Sequence, residues 1–360
     1  MEIDSWPDGL CDGTGRSLAR LRNRASSFFE SLSVAELVCG TRRRTRIADW
    51  LKVADGYRTQ AASAREEGSL QAAAEAWLCS LTALEVVRSL SCAGDLESVD
   101  LAEKVRISLT GFQDDAGPAI ERVTIDCFGQ GTLTGFFLPT PPRQPSPPVL
   151  VCISDEEITL GSMMSRLLPA SRFQSVSLLL VDAGVPSARH SFKPEHMLQC
   201  WLDYLEARPD VGQQRIAIYG EGAGAIHASR VALSDRRIAA AVCDGGLLSP
   251  VMRRASLRWM TRSGQAAEHG TAAAPPLPLR RIPCPLLMAV GSRSMIWEQD
   301  ALELQAGYRQ AGAACFVVVP NRIPHPLGEV ENFVAVDDFI LEWLCSSLGA
   351  VRQIEPVTYL

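Results

Sequence analysis

Between about Thr41 and Phe112 the apolar positions recur at helical spacing. In "SLQAAAEAWLCSLTALEVVRSL" the residues Leu70, Ala73, Ala74, Trp77, Leu81, Leu84 and Val87 fall on one stripe of period 3.6. The pattern changes at "AIERVTIDCFGQGTLTGFFLP", where Val123, Ile125 and Cys127 alternate with polar residues and "GQG" supplies a turn, which predicts a β-hairpin. Beyond the proline-rich "TPPRQPSPP", short, almost wholly apolar runs alternate with amphipathic segments. "VLVCI", "VSLLLVD", "RIAIYG", "IAAAVCD", "CPLLMAV" and "CFVVVP" read as strands. "PEHMLQCWLDYLEARP", "AGAIHASRVAL", "ALELQAGYRQA" and "VAVDDFILEWLCSSL" read as helices. Strands of that kind are buried on both faces, so the pattern predicts an α/β fold with a mostly parallel sheet covered by helices. A boundary near residue 118 divides an N-terminal helical domain, 1–118, from an α/β domain, 119–360. Residues 263–279, "SGQAAEHGTAAAPPLPL", read as a mobile loop with His269 on its surface.

One turn stands out. "IAIYGEGAGAIHAS" runs a strand through three alternate glycines into a helix. As G-x-G-x-x-A (Gly220, Gly222, Ala225) it is a dinucleotide fingerprint, with Asp244 about twenty residues on in the place of a ribose-binding acid. As small-x-nucleophile-x-small it is a nucleophile elbow, with Gly220 and Gly224 as the outer glycines and Gly222 where the reagent belongs. Element order favours the elbow. A dinucleotide fingerprint normally follows the first strand of its unit, whereas a hairpin and at least two strands precede this one.

Three further stretches match the elbow reading in order: "PPVLVCISDEEITL", "RRIPCPLLMAVGSRSMIWEQDALEL" and "VVVPNRIPHPLGEVENFVAVDDFILEWL". With the helical N-terminal region and "GTLTGFFLPTP" ahead of the first buried strand, most of the chain resembles the 2,6-dihydropseudooxynicotine hydrolase group and the related fermentation-respiration switch esterase-like proteins. The resemblance implies an α/β-hydrolase fold, a helical domain capping the active-site entrance, and often a homodimer. In active members it also implies a Ser, Asp, His triad with an acidic residue in the oxyanion-side loop. Carried over by position, the nucleophile falls on Gly222, the acid on Ser294, the histidine on His325 and the loop acid on Glu157. Two of the three triad positions are chemically empty, and a glycine cannot be activated by any base.

The remaining candidates follow from local chemistry. His325, between two prolines in "RIPHPLG", is held stiffly enough to aim an imidazole as general acid or base. Asp244 ends the strand before the usual acid strand and is a candidate to orient it; an aspartate opening the tight turn "DGG" is the competing explanation. Asp155, Glu156 and Glu157 form a carboxylate run at a strand end, where crowding with Asp155 can raise one carboxyl pKa, or else a solvated loop. The N–H of Ala223 and one near Asp155 are the oxyanion-hole candidates. Glu221 as a substitute nucleophile would need Tyr219 as the small outer residue, so it is read as a polar lining residue or a helix N-terminal charge. His190 and His196 read as surface residues, His227 as a packing residue, and Cys200, Cys243 and Cys284 as core thiols.

Composition narrows the classes further. The chain has 360 residues and a formal net charge of -6, and its one dense basic run, "TRRRTR", opens a helical segment, so no nucleic-acid partner is expected. The N-terminus has no signal-peptide pattern and "VSLLLV" is too short to span a membrane, so neither export nor a membrane span is predicted. Eleven singly scattered cysteines suggest a reducing cytoplasm, and five histidines without ligand spacing predict no metal; no organic cofactor is predicted either. Two functions remain open. One is an enzyme without the serine nucleophile, using His325-centred acid/base chemistry on a small, aromatic or polyketide-like metabolite. The other is a non-catalytic protein that binds a small molecule or a partner chain.

Overall fold

The computed structural model describes residues 18, 20, 21, 25, 28, 40–91, 97–115, 120–128, 131–139, 147–154, 163, 164, 166, 167, 176–182, 194–222, 224–245, 281–291, 294, 297–325, 328–349 and 357–359. The loop at 263–279 lies outside them. Three long helices come first: α1 (Gly40–Glu66), α2 (Leu70–Leu90) and α3 (Glu97–Asp115). The stripe predicted on α2 is buried from Ala73 to Val87, whereas Leu70, at the helix's first position, is half exposed. α2 packs against both α1 and α3. Leu70–Arg88 is long and apolar enough to cross a membrane, but most of it is buried inside the protein, as in a core helix. Where α1 and α3 end, the Asp115 carboxylate accepts from Arg65 Nε at 2.6 Å and from Trp77 Nε1 at 2.7 Å, so a buried charge locks the three helices together.

The rest of the described chain is built on a nine-stranded sheet in the order β1-β2-β4-β3-β5-β6-β7-β8-β11. The predicted hairpin is β1 (Glu121–Cys127) with β2 (Gly131–Leu138), antiparallel from Glu121↔Phe137 to Cys127↔Gly131. β2 runs antiparallel to β4 (Ser177–Asp182). All later pairings are parallel, through β3 (Val149–Ser154), β5 (Ile216–Glu221), β6 (Ile238–Asp244), β7 (Leu286–Ala289), β8 (Cys315–Val319) and β11 (Val357–Tyr359). A separate hairpin joins β9 (Arg322–His325) to β10 (Gly328–Glu331). The helices α4 (Pro194–Glu206), α5 (Gly224–Ser234), α6 (Glu298–Gln310) and α7 (Phe333–Ser347) cover the sheet where the amphipathic segments predict them.

β5 is the middle strand, hydrogen-bonded to β3 on one side and β6 on the other, and it is buried throughout. Its side chains alternate between two cores, as the two-residue period of a strand requires. Ile216 and Ile218 join the core formed with the β1–β2 hairpin, α4, α5 and α6. Ala217 and Tyr219 join the core that includes α7, helical residues Met163, Met164 and Leu167, and the N-terminal helices. That second cluster is continuous from α1 and α2 to the sheet.

One expectation about the cysteines is corrected. Cys200 is not a free core thiol: it is disulfide-bonded to Cys127, 73 positions away in the chain. The apolar stretches around these two cysteines gave no sign of pairing, because β1 and α4 meet only in the folded chain. The bond pins the C-terminal end of β1 to α4. Near the other end of β1, Glu121 accepts from Arg208 Nη1 at 2.7 Å, just past the end of α4. The disulfide is the stronger of the two ties, because an exposed ion pair contributes at most about 1 kcal/mol, whereas closing a loop of this length contributes about 4 kcal/mol in the chain-entropy treatment. Cys127→Ser should therefore shift the urea unfolding midpoint strongly and Glu121→Gln hardly at all. Equal midpoints for wild-type protein with and without reductant would show that the bond does not form.

Candidate functional site

The elbow is a backbone structure before it is a chemical one. β5 ends at Glu221, Gly222 turns the chain with φ +57°, and α5 begins at Gly224. Left-handed φ values disfavour side chains with a Cβ, so Gly222 adopts at little cost a conformation that any other residue holds under strain. The outer glycines have a different reason. A Cβ on Gly220 would overlap the Gly224 carbonyl and lie 2.6 Å from Ala225 N, and one on Gly224 would lie 2.9 Å from the Ile153 carbonyl oxygen. Strand, turn and helix are packed too closely there for a methyl group. The turn is tied to the neighbouring strand by Gly222 N–H, which donates to the Asp244 carbonyl at 2.9 Å.

Directly under this turn lies a buried charge cluster. Arg166 is 2% exposed, and three carboxylates from three elements converge on it. Nη1 pairs with Glu221 at the end of β5, and Nη2 donates to Asp244 Oδ2 at 2.8 Å at the end of β6 and to Asp337 Oδ1 at 2.6 Å in the second turn of α7. Tyr219, two residues before Glu221 and on the same face of β5, donates its hydroxyl to Asp244 Oδ2 at 2.8 Å and lies 3.5 Å from Glu221 Oε2. Burial disfavours the charged guanidinium, but the surrounding Asp337, Glu221, Tyr219 and Asp244 outweigh it and hold Arg166 well above its ordinary pKa. Burial raises the Tyr219 pKa, and the three carboxylates add to that against the pull of Arg166, so Tyr219 stays a neutral donor.

The sequence-derived candidates distribute as follows. Gly222 occupies the elbow turn. Glu221 is neither a solvent-facing lining residue nor a free helix N-terminal charge; it is 1% exposed and paired with Arg166. Asp244 ends β6 as expected, with its Oδ2 taken up by Arg166 and Tyr219. Ser294 is also buried, and its Oγ rests so close to Gly245 that a Cβ on that glycine would overlap it, which puts the position matched to the triad acid beside the residue that follows Asp244. His325 ends β9 and pairs with Gly328 across the hairpin that leads into α7. Asp155, Glu157, Ala223 and His190 lie outside the described residues. His196 is exposed on α4, and His227 is half-buried on α5. Cys243 and Cys284 hold no ready thiolate, since burial pushes the first pKa far up and the second to about 11.

Sequence reasoning missed Arg166, Tyr219 and Asp337. A signal for two of them was present: Arg166 stands among Met163, Met164 and Leu167, and Asp337 shares its helix face with Ile340 and Leu341, three and four residues on. A charge on an apolar stripe is rarely buried without a partner.

No protein-family model matches the sequence, and no curated protein sequence is significantly similar. Among solved structures, the one described as 2,6-dihydroxy-pseudo-oxynicotine hydrolase aligns over 93% of this chain and 98% of its own, with TM-score 0.59 and 13% identity. An esterase LipW from Mycobacterium marinum aligns over 70% of this chain and 88% of its own, with TM-score 0.48 and 14% identity, too distant to carry weight. The chain has the α/β-hydrolase fold.

The glycine geometry makes a graded prediction. Gly220→Ala should cost about 3 kcal/mol, the upper end for overpacking a closed site, because backbone surrounds it. Gly222→Ala should cost about 1–2 kcal/mol, the penalty for a left-handed residue with a Cβ. Urea unfolding of the two variants checks the order, and the reverse order would mean that the turn is not built as described.

Proposed function

We propose, from an α/β-hydrolase fold whose elbow carries glycine, that this chain is an enzyme acting without a covalent acyl-enzyme. His325 is its proton carrier, taking a proton from the substrate or from a water seated where a serine side chain would stand. The N–H of Ala223, next to the turn, and a loop N–H near Asp155 stabilise the enolate or oxyanion that results. Glu157 is the accessory acid and residues 1–118 form the cap over the entrance. The substrate is a small aromatic or polyketide-like metabolite, in keeping with the compound named for the structural neighbour. One observation carries this reading: Gly222, at φ +57° on the end of the middle strand, keeps the shape of a nucleophile's seat without the nucleophile.

A second reading, a binding protein without catalysis, draws on the engagement of Asp244 by Arg166 and Tyr219, which takes up one oxygen of the carboxylate that would otherwise be available to a histidine.

A reporter at the elbow tests the first reading without a known substrate. In Gly222→Cys, the rate at which iodoacetamide alkylates the peptide spanning residues 216–230 gives the pKa of the new thiol as a function of pH. A free thiol titrates near 8.5, and one beside a histidinium or a helix N-terminus falls to about 3.5–7.5. The expected result is a pKa below 7 that rises by at least one unit when His325→Ala is added; the helix contribution stays constant between the two. An identical pKa with and without His325 would remove the histidine from the site. Fluorophosphonate probes, in parallel, should leave the wild-type peptide 216–230 unlabelled.

A further inference from the structure

We infer that Arg166 is the positioning residue of this site, a single guanidinium that holds the elbow and the histidine hairpin in one fixed relation. The inference rests on the reading of His325 as the proton carrier. The three carboxylates that meet on Arg166 are not neighbours in the chain. Glu221 immediately precedes the elbow glycine. Asp244 carries the carbonyl that receives the Gly222 N–H, so its side chain and its backbone tie Arg166 to the turn through one residue. Asp337 lies in α7, which begins two residues after the β9–β10 hairpin ends. That hairpin is otherwise a two-stranded unit outside the main sheet, and Asn332 caps α7 between them by accepting from Ala335 N–H. The nine-stranded sheet therefore orients the elbow, the Asp337 link orients the base of the histidine hairpin, and Arg166 joins the two.

The guanidinium is suited to this because its planar fork presents donors in fixed directions, whereas an ammonium is a point charge that cannot hold several partners at set angles. A group buried merely to fill space would impose no such geometry.

The test uses the Gly222→Cys reporter in the full-length chain. Adding Asp337→Asn, which keeps size and removes the charge on the α7 link, should raise the thiol pKa by about one unit, which slows alkylation by about tenfold at pH values well below that pKa. Adding Arg166→Lys should do the same, although it keeps the positive charge. Asp115→Asn serves as control: it weakens an ion pair between α1 and α3 whose carboxylate is as buried as that of Asp337, so it lowers the melting temperature and should leave the alkylation rate unchanged. If Arg166→Lys does not fold, Asp337→Asn alone decides. A reporter whose pKa depends on His325 but whose rate is the same in the Asp337→Asn variant overturns the positioning role and leaves the proposed chemistry standing. A reporter indifferent to His325 removes both.

Discussion

The site region of this protein depends on a buried positive charge. Arg166 is closed off from water together with Glu221, Asp244 and Asp337, and removing ions of that kind from solvent costs several kcal/mol each before any attraction is counted. Well-packed apolar residues would stabilise the same volume as well or better. What apolar residues would lack is direction, since each hydrogen bond to the guanidinium specifies where a strand end or a helix must lie. The ends of β5 and β6 and the second turn of α7 are set by that constraint, and Tyr219 adds a fourth direction from within the sheet.

The form of the elbow is a property of its backbone. Its shape rests on backbone contacts at Gly220 and Gly224 and on the left-handed turn at Gly222. None of these involves a hydroxyl. The neighbouring strands, the helix and the hydrogen bond from Gly222 N–H to the Asp244 carbonyl are therefore independent of any side chain at the turn. The same separation between frame and reagent holds at Ser294, which is packed tightly against Gly245 whatever its side chain does chemically.

The outer edge of the sheet is held by a different kind of tie. β1 is an edge strand with alternating exposure and would be free to pair with another chain. Its covalent bond to α4 and the Arg208–Glu121 ion pair fix it against its own protein. Disulfides persist in oxidising compartments, so this bond stands against the reducing environment that the scattered cysteine pattern suggests.

Periodicity was enough to read the N-terminal helices, the hairpin and the succession of β3 to β8 along the chain, and the glycines marked the turn after β5. Those features follow from local rules: a 3.6-residue stripe must face a core, a continuous apolar run must be covered on both sides, and three alternate glycines at a strand end serve close backbone contact. The position of Gly222 and the end of β6 at Asp244 were legible for the same reason. The partners of those residues were not. Arg166 and Glu221 are 55 positions apart in the chain, and Asp244 and Asp337 a further 23 and 116 beyond Glu221. No local pattern states which buried acid meets which buried base, nor that Cys127 meets Cys200. Such pairings exist only after the sheet has assembled and α7 has closed over it, because a charge is driven to its counter-charge by desolvation, and desolvation is a property of the packed tertiary structure.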